Sequence, residues 1–273
     1  MIFISTAMYV EAQKIIKKLR LKRDRSINKF EVFKNDQITL IITGVGKVKS
    51  AVALTYILSR EVVTHRDIYI NFGICGTKDR EIPKGEIFLC NKIKDNETKF
   101  TYYPDILLQH PFKERAIETF SRVVVQEEVS QCLVDMESSA LYQAASVFLK
   151  PHQIFFVKVV SDYLNIENID KEFILDIIDK GVDQVIEWIN AIKDVFNYRR
   201  EVLTKGEEEL LKKVVENLKM SVTMENEVRK LMIYYKLFND DLTEIIDKYL
   251  NIQCESKQEG KMYLAELKGR IIC

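Results

Sequence analysis

Apolar runs of strand length alternate with segments of helical period over the first two thirds of the chain. IFIS (residues 2–5) reads as a short buried strand, and VEAQKIIKKLRLK (10–22) repeats its apolar residues at helical spacing. FEVFKN (30–35) and QITLIIT (37–43) read as strands joined by a turn at Asn35 and Asp36. GVGKVKSAVALTYILSRE (44–61) is a glycine turn feeding a helix. DIYINFG (67–73) is a buried strand followed by the tight GICGT, and GEIFLCNKI (85–93) is another strand. HPFKERAIETFSRV (110–123) predicts a helix starting just after Pro111. MESSALYQAASVFL (136–149) predicts a helix, QIFFVKVVSD (153–162) a strand, and residues 170–196 a long amphipathic helix.

This alternation predicts an α/β fold, with a central, mostly parallel mixed sheet flanked by helices, over residues 1–198. Beyond Phe196 the β-runs stop. EEELLKKVVENLKM, TMENEVRKLMIYYKLF and DLTEIIDKYLNI are all helical in period, which predicts a small all-helical C-terminal appendage over 199–273. Turn chemistry follows the same division: five of the nine glycines lie between Gly44 and Gly85, and all four prolines between Pro83 and Pro151.

Composition narrows the class of partner. With 41 basic and 41 acidic residues, nothing favours a ligand chosen by bulk charge, such as nucleic acid or an anionic membrane. Apolar runs such as IFFVKVV are too short to span a bilayer, and MIFISTAMYVEAQ does not have the pattern of a signal peptide. The five cysteines are odd in number and lack C-x-x-C spacing, and His65, His110 and His152 are scattered. These features predict a reducing, cytoplasmic setting, no metal site and no cofactor.

In open α/β sheets, ligands sit beyond the carboxyl ends of the strands. The tips of four predicted strands carry Met8 and Glu11, Thr43-Gly44-Val45-Gly46, Gly73 to Gly76, and Ser161-Asp162. Each has a plain structural reading. Glu11 could be a first-turn acid favoured by the helix dipole. The glycines could serve turns alone, and Ser161-Asp162 could cap a following turn. Asp135 suits a helix cap, Glu137 a first-turn acid, and Cys75 a small packed thiol.

The order of these segments carries more than any one of them. AMYVEAQKI, TGVGKVKSAVA, NFGICGT, VDMESSAL and VKVVSDYLN together resemble the motif series of the nucleoside phosphorylase superfamily, and most nearly its methylthioadenosine/S-adenosylhomocysteine nucleosidase branch. The resemblance covers about residues 1–197. It implies that Glu11 activates the attacking water and that Asp162 protonates N7 of the leaving purine. It also implies that Met136 packs on the sugar while Glu137 accepts from the ribose hydroxyls. Thr43 and Gly76 would line the nucleophile and ribose region, with Met8 and Ser161 in the adjoining motifs. On this view Asp162 needs a desolvated site, to hold a proton, and Glu11 a wetter or hydrogen-bonded one.

The first strand has no arginine and Lys47 follows the glycine turn, as in the family's hydrolases, which favours water over phosphate as nucleophile. A phosphate-dependent phosphorylase and a nucleoside-binding protein without turnover remain as alternatives. Thr43 replaces the family's usual Ser and Asp135 its usual Glu. The stretch between GEIFLCNKI and VDMESSAL is shorter than in the usual nucleosidases, and Phe100, Tyr102 and Tyr103 are its candidates for stacking on a base. The resemblance further implies a purine nucleoside ligand and a homodimer, and the added helices suggest a protein partner.

Overall fold

The computed structural model describes residues 1–129, 133–165, 170–198, 202–239 and 241–272. Cys132 and Cys273 therefore lie outside the described residues. The chain divides into two units, residues 1–196 and 197–273.

In chain order the first unit contains β1 (Ile2–Thr6), α1 (Tyr9–Lys18), β2 (Lys22–Arg23), β3 (Glu31–Lys34), β4 (Ile38–Ile42), α2 (Lys47–Leu58) and β5 (Ile68–Thr77). There follow β6 (Ile87–Asp95), β7 (Thr101–Tyr102), β8 (Lys113–Thr119), β9 (Leu133–Asp135), α3 (Ser138–Ser146), β10 (Ile154–Asp162) and α4 (Lys171–Tyr198), whose last two residues fall past the boundary at 196. β1 pairs in parallel with β4 and β5, and β5 with β10. The carboxyl ends of these four strands therefore share one edge, and the four candidate tips meet there.

Elsewhere the sheet is mixed. β3 runs antiparallel to β4 and β2 to β3. β6 is antiparallel to β10 and to β7, but parallel to β8. β8 is parallel to β9, which is antiparallel to the end of β5. The pairings β5–β10–β6–β8–β9–β5 close a ring. β5 thus belongs to an open sheet along its first residues and to a small barrel at Gly76 and Thr77. A closed ring leaves no free edge on that side.

One predicted element is corrected. Residues 113–119 form β8 and not a helix. KERAIET is rich in helix formers, but propensity is a weak prior that tertiary pairing overrides. Ile117, Glu118 and Thr119 are buried between β6 and β9, where their backbone groups need ladder partners.

Two apolar clusters place the helices. One face of the sheet buries Ile4, Leu40, Ile70 and Val157 with Ala12 and Ile15 of α1 and with Ile178, Val182 and Ile189 of α4. The other buries Phe3, Ile41, Tyr69 and Phe156 with Leu54 and Leu58 of α2 and with Leu141 and Ala145 of α3. Alternate strand residues reach opposite faces, which is why largely apolar strands such as Ile154–Val160 need helices on both sides.

The second unit contains α5 (Lys205–Asn217), α6 (Val222–Phe238), α7 (Thr243–Leu250) and α8 (Lys257–Ile272). It has its own core, including Leu211, Val214, Leu218, Val228, Met232, Ile246, Tyr249 and Leu267. Thr204 and Ser221 cap α5 and α6, their hydroxyls accepting the N–H groups of Glu207 and Met224. Among the described residues, no helix is long and apolar enough to cross a membrane, and no group of three His, Cys, Asp or Glu could hold a metal ion.

Candidate active site

β1 ends at Thr6, and the chain turns through Ala7 and Met8 into α1. Glu11 is the third residue of that helix. Its Oε2 accepts the N–H of Met8 at 2.8 Å, which is the reach-back of a helix-start acid. Its Oε1 does something a capping acid does not: it accepts the N–H of Ile74 on β5 at 3.0 Å. Glu11 is 1% exposed. Burial pushes its carboxyl above the ordinary value, against the opposing hydrogen bonds from Ile74 and Met8 and the charge of Lys158. Of the wetter or hydrogen-bonded surroundings expected for Glu11, the structure has the hydrogen-bonded kind, and they are dry.

The second carboxylate comes from the junction of β9 and α3. Glu137 Oε1 accepts the N–H of Gly46 at 2.8 Å. That N–H is free to point outward because Gly46 sits at φ 102°, a conformation that favours glycine. Glu137 is buried, and desolvation with repulsion from Asp135 pushes it up to about 7, against the pull of Lys158. Asp135 has a different task. Its Oδ2 accepts Ser138 N at 2.9 Å, Ser138 Oγ at 2.5 Å and Lys158 Nζ at 2.8 Å, while Oδ1 accepts Thr119 Oγ1 at 2.8 Å. It caps the first N–H of α3 and also neutralises a lysine that is 1% exposed. Burial alone would lower Lys158, but Asp135 and Glu137 outweigh it and hold its ammonium above the usual range.

The third carboxylate ends β10. Asp162 Oδ2 accepts Ser161 Oγ at 2.6 Å, and Oδ1 accepts Leu164 N at 2.9 Å. Asp162 is half-buried, so it is less desolvated than either Glu11 or Glu137. Gly76 packs against it: a Cβ there would lie 2.4 Å from Leu164 Cδ2 and 3.0 Å from Asp162 Oδ1. Leu164 itself lies at φ 57°, a strained region for a branched residue.

These groups surround one cavity of about 370 Å³, within the size range of small-molecule sites. Met8, Glu11, Gly76, Met136, Glu137, Ser161 and Asp162 all line it. Thr43 is set back from the lining, with its hydroxyl directed to the carbonyls of Thr6 and Gly44. The lining also includes Val45 and Cys75 from the predicted strand tips, and Arg122, Val123, Val124 and Leu164, which sequence reasoning missed. The Cys75 thiol is buried and pushed well up by desolvation, which suits a packed residue and not a nucleophile. Arg122 is the one lining cation among the described residues, and it pairs with Glu128.

No aromatic ring is among the described lining residues. The stacking candidates lie elsewhere. Tyr102 stacks on Tyr142 with centroids 5.0 Å apart, the Tyr142 hydroxyl donates to the carbonyl of Tyr103, and Phe100 is exposed. The apolar wall is aliphatic instead, with Val124, Val134 and Leu164 packed together with Phe120 and Val129.

No family model and no curated protein matches the sequence. Solved structures do match. A 5′-methylthioadenosine/S-adenosylhomocysteine nucleosidase from S. pneumoniae, solved with a transition-state inhibitor, is 18% identical, with a TM-score of 0.57 over 68% of this chain and 96% of that one. The chain has the fold of these nucleosidases. The Neisseria meningitidis enzyme, in complex with methylthio-immucillin-A, is 17% identical, with a TM-score of 0.58 over 70% of this chain and 98% of that one. The Arabidopsis thaliana methylthioadenosine nucleosidase is 17% identical, with a TM-score of 0.59 over 70% and 95%.

Proposed function

We propose that the chain is a purine nucleosidase that hydrolyses the N-glycosidic bond of an adenine nucleoside such as methylthioadenosine or S-adenosylhomocysteine. One observation carries this reading: Glu11, Glu137 and Asp162, from three distant parts of the sequence, line a single cavity. Breaking the bond builds positive charge on the ribose and negative charge on the base. Glu137, when ionised, faces the sugar and stabilises an oxocarbenium-like centre while accepting from ribose hydroxyls. Glu11 takes the proton of the attacking water, and its burial makes it a stronger base than an exposed glutamate. Asp162 gives a proton to N7 of the leaving purine. Ser161 and Leu164 donate to different oxygens of its carboxyl, so either oxygen keeps a lone pair for that proton. Met136 packs on the sugar, and the aliphatic wall receives the base.

Arg122 favours a second reading, phosphorolysis, because an arginine at the cavity can hold a phosphate. Glu128 already engages that guanidinium, which supports water. The test is a panel of purine nucleosides incubated with and without phosphate, with free base and ribose-1-phosphate separated by chromatography. Base released without phosphate is expected, and no base from any nucleoside at high enzyme would sink the reading. Thermal stabilisation by a nucleoside without product would mark a binding protein instead. A homodimer, a cytoplasmic setting and a protein partner for the helical unit are carried with this proposal. Light scattering, fractionation and co-purification with the full chain would test them.

A further inference from the structure

Lys47 opens α2 directly after the glycine turn, and its side chain is only 16% exposed. Its ammonium meets two carboxylates, Asp95 Oδ2 at 2.7 Å and Glu97. Asp95 ends β6 and is 2% exposed. The same Oδ2 accepts Ser139 Oγ of α3 at 2.6 Å, two residues past Glu137. Its other oxygen is held by Thr98, whose N–H and hydroxyl both donate to Oδ1, so the carboxylate cannot turn away. Glu97 Oε1 accepts the N–H of Ser121 at 2.9 Å, immediately before the cavity-lining stretch Arg122–Val124.

One ammonium is thereby linked to three separate walls of the cavity. The first is the glycine turn, where Val45 lines the cavity and the Gly46 N–H holds Glu137. The second is the start of α3, reached through Asp95 and Ser139. The third is the loop after β8, reached through Glu97 and Ser121. Without the positive charge, Asp95 and Glu97 would repel each other, and the links to α3 and to the loop would lose their common anchor. Partial burial opposes the charge on Lys47, but the hydrogen bonds to Asp95 and Glu97 outweigh it.

The structure assigns Lys47 a positioning role: through Asp95 and Glu97 it keeps the glycine turn, α3 and the 121–124 loop in register, so that Glu137 and the loop are held together around a bound nucleoside. The nature of that ligand rests on the nucleosidase reading, whereas the clamp does not.

The experiment compares full-length wild type with Lys47→Met, which keeps the stem and removes the charge, and Lys47→Arg, which keeps the charge. Residue-resolved amide exchange at Gly46 and Ser121 should be roughly tenfold faster or more in Lys47→Met and within about threefold of wild type in Lys47→Arg. Unchanged exchange at both amides in Lys47→Met would overturn the proposal, whether or not any nucleoside is cleaved. In the base-release assay, Lys47→Met should raise KM about tenfold with kcat changed less than about threefold, and Lys47→Arg should restore KM. A fall in kcat at unchanged KM would refute a positioning role. If Lys47→Met does not fold, Lys47→Gln is read by the same two measures. A wild type that releases no base counts against the nucleosidase reading alone, and exchange then decides the clamp.

Discussion

The buried carboxyl of Glu137 makes a quantitative demand on stability. Its value is raised from 4.5 to about 7, mainly by desolvation and then by Asp135. A raised carboxyl pKa means that the folded state binds the proton more tightly than the unfolded state does. Stability from this group is therefore fully present below about pH 4.5 and is lost as pH rises through 7. A gap of about two to three pH units, at ~1.4 kcal/mol each, corresponds to about 3 kcal/mol as an upper figure, most of which falls between pH 5 and pH 8. Glu137→Gln removes the titration while leaving an oxygen to accept the Gly46 N–H. Relative to wild type, the variant should gain about 5–10 °C in melting temperature on going from pH 5 to pH 8, at ~2–4 °C per kcal/mol for a unit of this size. The single tryptophan provides the readout. Trp188 is 4% exposed and packs edge-on against Phe112 and Phe155, so its fluorescence reports the first unit. If the difference between Glu137→Gln and wild type is the same at both pH values, the desolvation argument is wrong.

The remaining predictions concern the other buried groups. Glu11→Gln and Asp162→Asn should each lower kcat/KM for base release by about 10²–10⁴-fold, since each removes a proton-transfer group; losses under tenfold would remove them from those roles. Gly76→Ala should leave circular dichroism unchanged and lower base release by about tenfold or more, because the added methyl displaces Leu164 and with it Asp162. Lys158→Met should destabilise the first unit by about 3–5 kcal/mol in urea melts followed at Trp188, since it leaves Asp135 charged, buried and unpaired. Adding Asp135→Asn to that variant should recover part of the loss.

Most of the elements, and the edge on which the candidate residues meet, were legible in the periodicity. A buried parallel strand announces itself as a largely apolar run, and QIFFVKVVSD and DIYINFG are such runs. β8 was not legible because Lys113, Glu114 and Arg115 are exposed, and only partners from β6 and β9 reveal the strand. β9 is three residues long, too short to show a period. Among site residues, acids inside ordered motifs could be found, whereas Val124 and Leu164 are ordinary aliphatics placed by the ring closure. Two further signals of buried charge stand in the sequence. Lys158 interrupts an apolar run, and a lysine there has to be paired. Asp95 ends a buried strand in the same way. The Ile74 hydrogen bond to Glu11 was hidden for a related reason: a sequence shows that an acid starts a helix, but not that a neighbouring strand will cover it.

The double membership of β5 has a mechanical consequence. A Cβ on Gly73 would lie 3.1 Å from Glu11 Oε1, and one on Gly76 would lie 3.0 Å from Asp162 Oδ1. The water side and the base side of the proposed reaction are thus gauged by two positions on one strand, about 10 Å apart at ~3.3 Å per residue. With β1 and β10 alongside and the ring closed at its end, that strand has little freedom to stretch or slide. It serves as a ruler. Substrate choice can drift through the loops and aliphatic wall around the cavity, while the separation of the two proton-handling groups stays written into the backbone.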